Sequence, residues 1–409
     1  MCEEEWRTTT PDSIEALALV PTVPLELQDQ IFKWCDMPDL AVLCQLNKDW
    51  YERIVPLLWR EIDFVWEIDD YDGVERSRQF FAFCDTLMDE KPERWAVLAA
   101  YVRKLNLGRL YGINIVHDGD RASYDEFKFF DDSYAAGRRN VFDVIAQFTN
   151  LDSLSVYIKS WWGYTSLETS GKALARGITN LKSLKIGGQM STDILLGLLA
   201  KPENIEHLSL INLIQSPGQD DGPDGIVFLS GIHDRFTSLE NLHLCKLADL
   251  DGRLTDDESD EDEDEGPTYA SGMRWRFPRE AEVSVLEEWA ALLLHSSSTI
   301  TQLTLENRYL CGSSYTDWDR QINPGTTHPA EYGAYSIRES QRLLFPVLSR
   351  EWPKLTTMTL VGMGNTEDVA QAVRHLEPRV QIEQRLASLE KIEGDATPDE
   401  ISTPDDFYD

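Results

Sequence analysis

The sequence contains no motif that assembles a known catalytic centre. Its 409 residues lack the GxSxG, GxxxxGK[ST], HExxH and GxGxxG patterns, so no serine hydrolase, P-loop enzyme, zinc protease or dinucleotide-binding domain is indicated. The 7 histidines show no ligand-like pairing with cysteine or carboxylate in the sequence. A metal site needs three or four convergent ligands. We therefore expect a protein that is not an enzyme, with no catalytic residue, no metal and no cofactor.

Cysteine pairs and long apolar runs are also missing. The 6 cysteines are scattered, and no two are separated by the short spacing of a zinc knuckle or a redox pair. Free thiols at this density suit a reducing compartment. The opening "MCEEEWRTTT" lacks the basic start and apolar core of a signal peptide, and no apolar run approaches the ~18 residues of a membrane span. We expect a soluble protein of the cytoplasm, the nucleus or both.

Basic residues are few. The chain has 38 Lys and Arg against 72 Asp and Glu, a formal net charge of −34. Such a field repels phosphates and anionic lipid, so we expect neither nucleic acid nor membrane as a partner. Nine of the ten residues from Asp256 to Glu265 are acidic, and this self-repelling run predicts a disordered insertion over 252–268. Flexible ends are predicted at 1–20 and at the acidic tail 388–409.

Apolar residues are concentrated near the start of this acidic chain. Between Val23 and Trp59, 21 of 37 residues are apolar. Spacings of three and four predict a first helix with Leu27, Ile31 and Trp34 on one face. Pro38 and Asp39 favour a second helix start, after which Leu40, Leu43 and Cys44 share a face. A third helix with Trp50 and Ile54 on one face is expected to end before Pro56.

Three such helices have more apolar surface than one small core can cover. A unit of fewer than ~40 residues rarely buries enough surface to be stable alone. The excess apolar surface therefore predicts a protein–protein site. The alternative is a helical cap that packs on the following domain, and binary patterning alone does not distinguish the two.

The same segment, 21–62, resembles an F-box of the fungal type. The resemblance rests on the order and spacing of several short groups: Pro24-Leu25-Glu26-Leu27, Ile31, Pro38-Asp39-Leu40, Leu43, Lys48, Trp50 and "PLLW" at 56–59. Departures are mild: Val23 precedes the proline where leucine is usual, and Leu46-Asn47 replace the common valine–cysteine.

The resemblance implies a partner and a set of contacts. F-box helices dock onto a Skp-type adaptor, which links them to a cullin–RING ubiquitin ligase. Carried over to this chain, the adaptor-facing and inner positions are Pro24, Leu25, Leu27, Ile31, Leu40, Leu43, Trp50, Leu57, Leu58 and Trp59. One sequence does not settle which of them face outward.

Beyond residue 62 an apolar-x-x-apolar-x-apolar signature recurs seven times. It occupies residues 102–110, 151–158, 181–188, 205–213, 239–247, 300–308 and 355–363. Each copy predicts a short strand with one buried face. Helical patterns lie between them, at 140–150, 191–200, 283–295 and 339–349.

Strands with this signature alternate with helices along the chain. This pattern resembles that of irregular leucine-rich repeats. The resemblance implies a stacked solenoid over 63–380 with a curved parallel sheet. A doubly wound α/β domain is the competing architecture, but its strands are more uniformly apolar. The expected fold class is therefore α/β, a short three-helix F-box followed by an irregular repeat solenoid.

Alternation leaves one face of the predicted sheet open to solvent. We take this face as the hypothetical substrate-binding surface, with Ser155, Tyr157, Lys185, His207, Ser209, Asn241, His243, Gln302 and Thr304 as its candidate residues. Ile211 and Cys245 fall on the same face by parity. The alternative is a solvated sheet whose contacts lie in the loops.

These features predict a non-catalytic substrate receptor of a ubiquitin ligase, with an unknown target protein. Two other functions stay open. The chain could be an interaction scaffold whose F-box acts outside a ligase. It could also be an acidic, chaperone-like binder of basic proteins that uses the 256–265 run.

Overall fold

A computed structural model describes residues 24–64, 71–110, 139–158, 168–215, 229, 231–247, 279–308, 334–363 and 366–385. The expected flexible start (1–20), acidic insertion (252–268) and acidic tail (388–409) lie outside these residues. The chain divides into two compact units, one up to Glu61 and one from Ile62 onward.

The first unit consists of three helices, as the sequence predicts. They are α1 (Leu25–Trp34), α2 (Met37–Leu43) and α3 (Lys48–Leu58). The Asp36 side chain accepts the Asp39 backbone N–H at 2.9 Å, and the Asn47 side chain accepts that of Trp50 at 2.8 Å. Each cap satisfies a backbone donor that has no partner within the helix. Asp36 and Asn47 therefore determine where α2 and α3 begin.

The prediction that the third helix ends before Pro56 is wrong. Pro56 lies inside α3, and the backbone N–H of Trp59 still donates to the carbonyl of Val55 at 3.0 Å. Proline inside a helix removes one backbone hydrogen bond and costs ~3 kcal/mol. Side chains on both sides of Pro56 pack on the core of this unit, Ile54 before it and Leu57 after it. That packing offsets the lost bond.

The core of the first unit is small. Phe32, Leu40 and Ile54 are buried at its centre, and Trp50 meets Phe32 edge to face with ring centroids 5.3 Å apart. Edge-to-face pairs of this kind add to the stabilisation that burial alone gives. One residue from each helix thus meets in the centre.

The second unit contains a nine-stranded sheet in strictly sequential order. Its strands are β1 (Glu61–Asp63), β2 (Lys104–Leu110), β3 (Ser153–Ile158), β4 (Ser183–Met190), β5 (His207–Gln215), β6 (Asn241–Leu247), β7 (Gln302–Arg308), β8 (Thr357–Val361) and β9 (Gln381–Arg385). Every pairing from β2 to β9 is parallel. The seven predicted strands are confirmed, while β1 and β9 were not expected. β9 lies just beyond residue 380, where the predicted solenoid ends.

This order has no reversal among the described strands. A doubly wound sheet changes direction at a switch point, where the strand order reverses. The fold is α/β with an open parallel sheet, whose edges are β1 and β9. One buried residue per strand continues a single row across the sheet, in register: Leu105, Leu154, Leu184, Leu208, Leu242, Leu303 and Met358.

Helices separate many of the strands. They are α4 (Tyr71–Glu90), α5 (Pro92–Ala99), α6 (Val141–Ile145), α7 (Glu168–Gly177), α8 (Thr192–Leu198), α9 (Arg279–Ser296), α10 (Ala334–Leu348) and α11 (Thr366–Val373). The four predicted helical patterns correspond to α6, α8, α9 and α10, although α6 is only five residues long. Neighbouring helices approach closely at glycine: a Cβ on Gly177 would overlap the carbonyl oxygen of Ala146.

Candidate functional site

An apolar stripe on α1 faces solvent. Leu27, Ile31 and Trp34 are 55%, 48% and 88% exposed, whereas Gln28 and Phe32 on the same helix are buried. The three exposed residues are the ones that the sequence places on one helical face. That face therefore points away from the core of its unit. We call these three residues the α1 stripe.

Arg53 on α3 fixes the orientation of α1. Its guanidinium donates to the Gln28 side chain at 2.6 Å and to the Leu25 carbonyl at 2.9 Å, and it pairs with Asp29. The same group lies over the Phe32 ring, 5.3 Å from the centroid. Since Gln28 and Phe32 lie on the buried side of α1, rotating the helix to hide the stripe would break these contacts.

The stripe borders a shallow groove at the end of α1. Its lining consists of Leu27, Gln30, Ile31, Trp34, Cys35 and Asp39. Most of these side chains are apolar, and Gln30 and Asp39 are the polar ones. A mostly apolar lining with a few polar side chains is typical of a protein-binding patch.

The predicted adaptor-binding residues separate into two groups. Pro24, Leu25, Leu27 and Ile31 are exposed. The other residues face inward or lie partly covered, with Leu40 only 5% exposed: Leu40, Leu43, Trp50, Leu57, Leu58 and Trp59. Leu40 is thus a core residue and cannot contact a partner while the unit is folded. Trp34, the most exposed member of the stripe, was missing from the predicted set although its spacing from Leu27 and Ile31 was visible.

The predicted substrate residues lie on one face of the sheet. Register joins Ser155, Lys185, Ser209, His243 and Thr304 into one row across five strands. A second row joins His207, Asn241 and Gln302, and all of these side chains are at least partly exposed. We call this surface the open face.

A third row of the open face is partly closed. Tyr157, Gly187, Ile211 and Cys245 are register partners in turn. Ile211 and Cys245 are buried, so their expected exposure is wrong. A Cβ on Gly187 would come within 2.5 Å of the Tyr157 ring, so that ring lies over the glycine and beside Ile211. Packing between neighbouring strands therefore buries side chains that strand alternation alone would leave exposed.

Hydrogen bonds link the polar side chains of the open face. Asn241 Nδ2 is 2.6 Å from His207 Nδ1, and Ser209 Oγ is 3.0 Å from His243 Nδ1. His243 Nε2 lies 3.4 Å from a carboxylate oxygen of Glu306. The predicted shared face of the two histidines is confirmed, and each has a polar neighbour on the adjacent strand. Within the described residues no cluster of three or more His, Cys, Asp or Glu could hold a metal ion.

Ion pairs border the amino ends of the strands. Lys182 Nζ lies 2.7 Å from a Glu206 carboxylate oxygen, and the Lys182 ammonium lowers the pKa of that carboxyl. The hydrogen bond to Glu206 in turn raises the pKa of Lys182. Arg103 and Asp152 form a similar pair at 3.6 Å. Glu206 and Asp152 are therefore each paired with a nearby basic side chain.

Comparison with known proteins adds no family name. No protein-family model matches the chain, and no curated protein matches it either. In the described part of the chain, no helix is both long enough and apolar enough to cross a bilayer.

Proposed function

We propose that this protein is the non-catalytic substrate receptor of an SCF-type cullin–RING ubiquitin ligase. In this proposal the three-helix unit is an F-box that binds a Skp-type adaptor, and the sheet unit is an irregular leucine-rich-repeat solenoid that binds the target. The observation that carries the proposal is the exposed apolar α1 stripe, which lies on a separate unit whose sequence resembles an F-box.

The stripe supports docking because it is contiguous and apolar. Soluble monomers rarely leave such a patch uncovered unless another molecule binds it. Trp34 has the character of an interface anchor, since buried tryptophans often dominate binding energy. Leu27 and Ile31 lie beside it and would exclude water from the contact.

The sheet supports target binding through its open face. Sequential parallel strands with one row of leucines match the repeat signature of the sequence. Opposite that row, the open face offers amides, hydroxyls and imidazoles that can read the polar groups of a bound segment. The chain would thus contribute proximity and orientation, while chemistry occurs on other subunits.

Adaptor binding is the direct test. The double variant Leu27→Asp, Ile31→Asp should lose co-purification with a Skp-type adaptor, because two carboxylates would be buried unpaired at the interface. Val42→Asp is the matched control, since Val42 is exposed on α2 and does not line the groove. Leu40 is unsuitable for this test because replacing a core residue would unfold the unit.

Retained binding by the double variant, with a native circular dichroism spectrum, would refute the docking role. Target turnover then separates a ligase subunit from a scaffold. In cells, proteins captured by the wild type but stabilised by the double variant are the expected substrates. Captured proteins whose half-lives do not change would indicate a scaffold.

A further inference from the structure

Two histidines that lie far apart in the sequence meet at the surface of the sheet unit. His233 is in a short 3-10 helix (His233–Arg235) before β6, and His295 is in the last turn of α9. Their ring centroids are 4.9 Å apart, and the ring planes are inclined at 58°. His295 is exposed and His233 is partly exposed, so solvent reaches both rings. Neither residue belongs to the α1 stripe or to the open face.

A backbone hydrogen bond determines which nitrogen of His295 can bind a ligand. Nδ1 of this ring lies 2.8 Å from the carbonyl oxygen of Ala291. Because a carbonyl oxygen can only accept, Nδ1 carries a proton and donates. In the neutral imidazole the lone pair is therefore on Nε2. Histidines that bind metals usually donate their other ring N–H to a backbone carbonyl or a carboxylate in the same way.

The separation of the two rings fits imidazoles that share one metal ion. A Zn–N bond of ~2.0–2.1 Å places the metal ~3.2 Å from each ring centroid. An angle of about 90–110° between the two bonds then places the centroids ~4.5–5.2 Å apart. The observed separation of 4.9 Å lies within this range. The backbone therefore already holds the rings at the distance that a shared ion requires.

The ligand type and the charge of the chain favour a divalent transition metal. Imidazole suits Zn²⁺, Cu²⁺ and Ni²⁺, whereas Mg²⁺ and Ca²⁺ prefer oxygen ligands. A net charge of −34 raises the concentration of cations near the protein. In the part of the chain that the structure describes, no third His, Cys, Asp or Glu enlarges the pair into a cluster. Water therefore fills the other positions around the ion, which exchanges with solvent.

We propose that His233 and His295 form a two-imidazole binding site for an exchangeable divalent transition metal such as Zn²⁺. His295 binds through Nε2, and His233 binds through one ring nitrogen. The ion links the 3-10 helix before β6 to the end of α9, two elements that already pack against each other. This site does not depend on the proposed ligase function.

Titration of the full-length protein with Zn²⁺ tests the site. Millimolar Mg²⁺ is present throughout to occupy carboxylates, and calorimetry measures binding. His233→Ala and His295→Ala should each weaken binding at least tenfold, because either change removes one of the two protein ligands. His375→Ala is the matched control and should bind like the wild type. His375 is also exposed, and its Nε2 donates to a backbone carbonyl, that of Arg350, at 2.8 Å.

Chemical modification locates the ion in the wild-type protein. Diethyl pyrocarbonate modifies ring nitrogens that hold a free lone pair, and peptide mass spectrometry reports the modification of each histidine. Zn²⁺ should protect both His233 and His295. His375 should react equally with and without the ion.

Three results would overturn the proposal. The first is wild-type affinity in either His233→Ala or His295→Ala, since the site needs both rings. The second is equal modification of the two histidines with and without Zn²⁺. The third is loss of Zn²⁺ binding as the Mg²⁺ concentration rises, which would assign the ion to carboxylates.

Discussion

Replacing Trp34 by alanine should separate docking from folding. Trp34 is 88% exposed, so the fold gains little from it. A tryptophan presents roughly 150–250 Å² of surface, and burying most of it at ~25 cal/mol per Å² is worth about 3–5 kcal/mol. Loss of the lower value weakens binding by about two orders of magnitude. Trp34→Ala should therefore raise the dissociation constant for the adaptor about 100-fold.

Phe32→Ala is the matched control on the same helix. Phe32 is 2% exposed and contacts Trp50, so its truncation should cost about 3–5 kcal/mol of unfolding free energy. Hydrogen exchange over residues 25–58 measures stability, and biolayer interferometry with a purified Skp-type adaptor measures binding. Trp34→Ala should leave exchange unchanged, whereas Phe32→Ala should accelerate it. The reasoning fails if Trp34→Ala binds like the wild type, or if it speeds exchange as Phe32→Ala does.

Three further predictions concern the sheet unit. Gly177→Ala should lower the free energy of unfolding by about 1–3 kcal/mol, because the added Cβ would overlap the Ala146 carbonyl. Chemical denaturation measures this free energy. An unchanged denaturation midpoint would contradict the close contact between Gly177 and Ala146. Burial raises the pKa of the Cys84 thiol, so iodoacetamide should not modify it between pH 7 and pH 9 until the protein unfolds, as peptide mass spectrometry will show. Lys182 lowers the pKa of Glu206, so this pair stabilises the fold above the unfolded carboxyl pKa, and that contribution disappears as pH falls through the folded value. The stability difference between wild type and Lys182→Met should be small at pH 7 and should shrink as pH falls through the folded pKa of Glu206. A difference that does not change as the pH is lowered would contradict the pairing.

The strands could be predicted because their signal is local. Each copy of the signature places two leucine-like residues two positions apart, and burial of Leu154 and Val156 on β3 follows directly from that period. The edge strands β1 and β9 carry weaker alternation. These two strands form only because they pair with β2 and β8, and the sequence does not show which strand an edge segment will pair with.

Helix α7 shows why other elements were missed. Of its ten residues, Ser170, Gly171 and Leu174 are the buried ones, so no apolar stripe marks it. It is held by close backbone approach at Gly171 and by a 2.7 Å hydrogen bond from Asn140 to Ser170. Contacts of this kind depend on the neighbouring helix and leave no period in the sequence.

The α1 stripe illustrates the remaining limit of sequence reasoning. Spacing showed that Leu27, Ile31 and Trp34 share a face, but Phe32 gave α1 a second apolar side. Which side meets the core was decided by residues more than fifteen positions away: Trp50 packs on Phe32, and Arg53 binds the inner side of α1. Arg53→Ala should therefore loosen the orientation of α1 and weaken adaptor binding without altering the apolar stripe itself. If binding is unchanged in Arg53→Ala, the orientation of α1 is set by core packing alone.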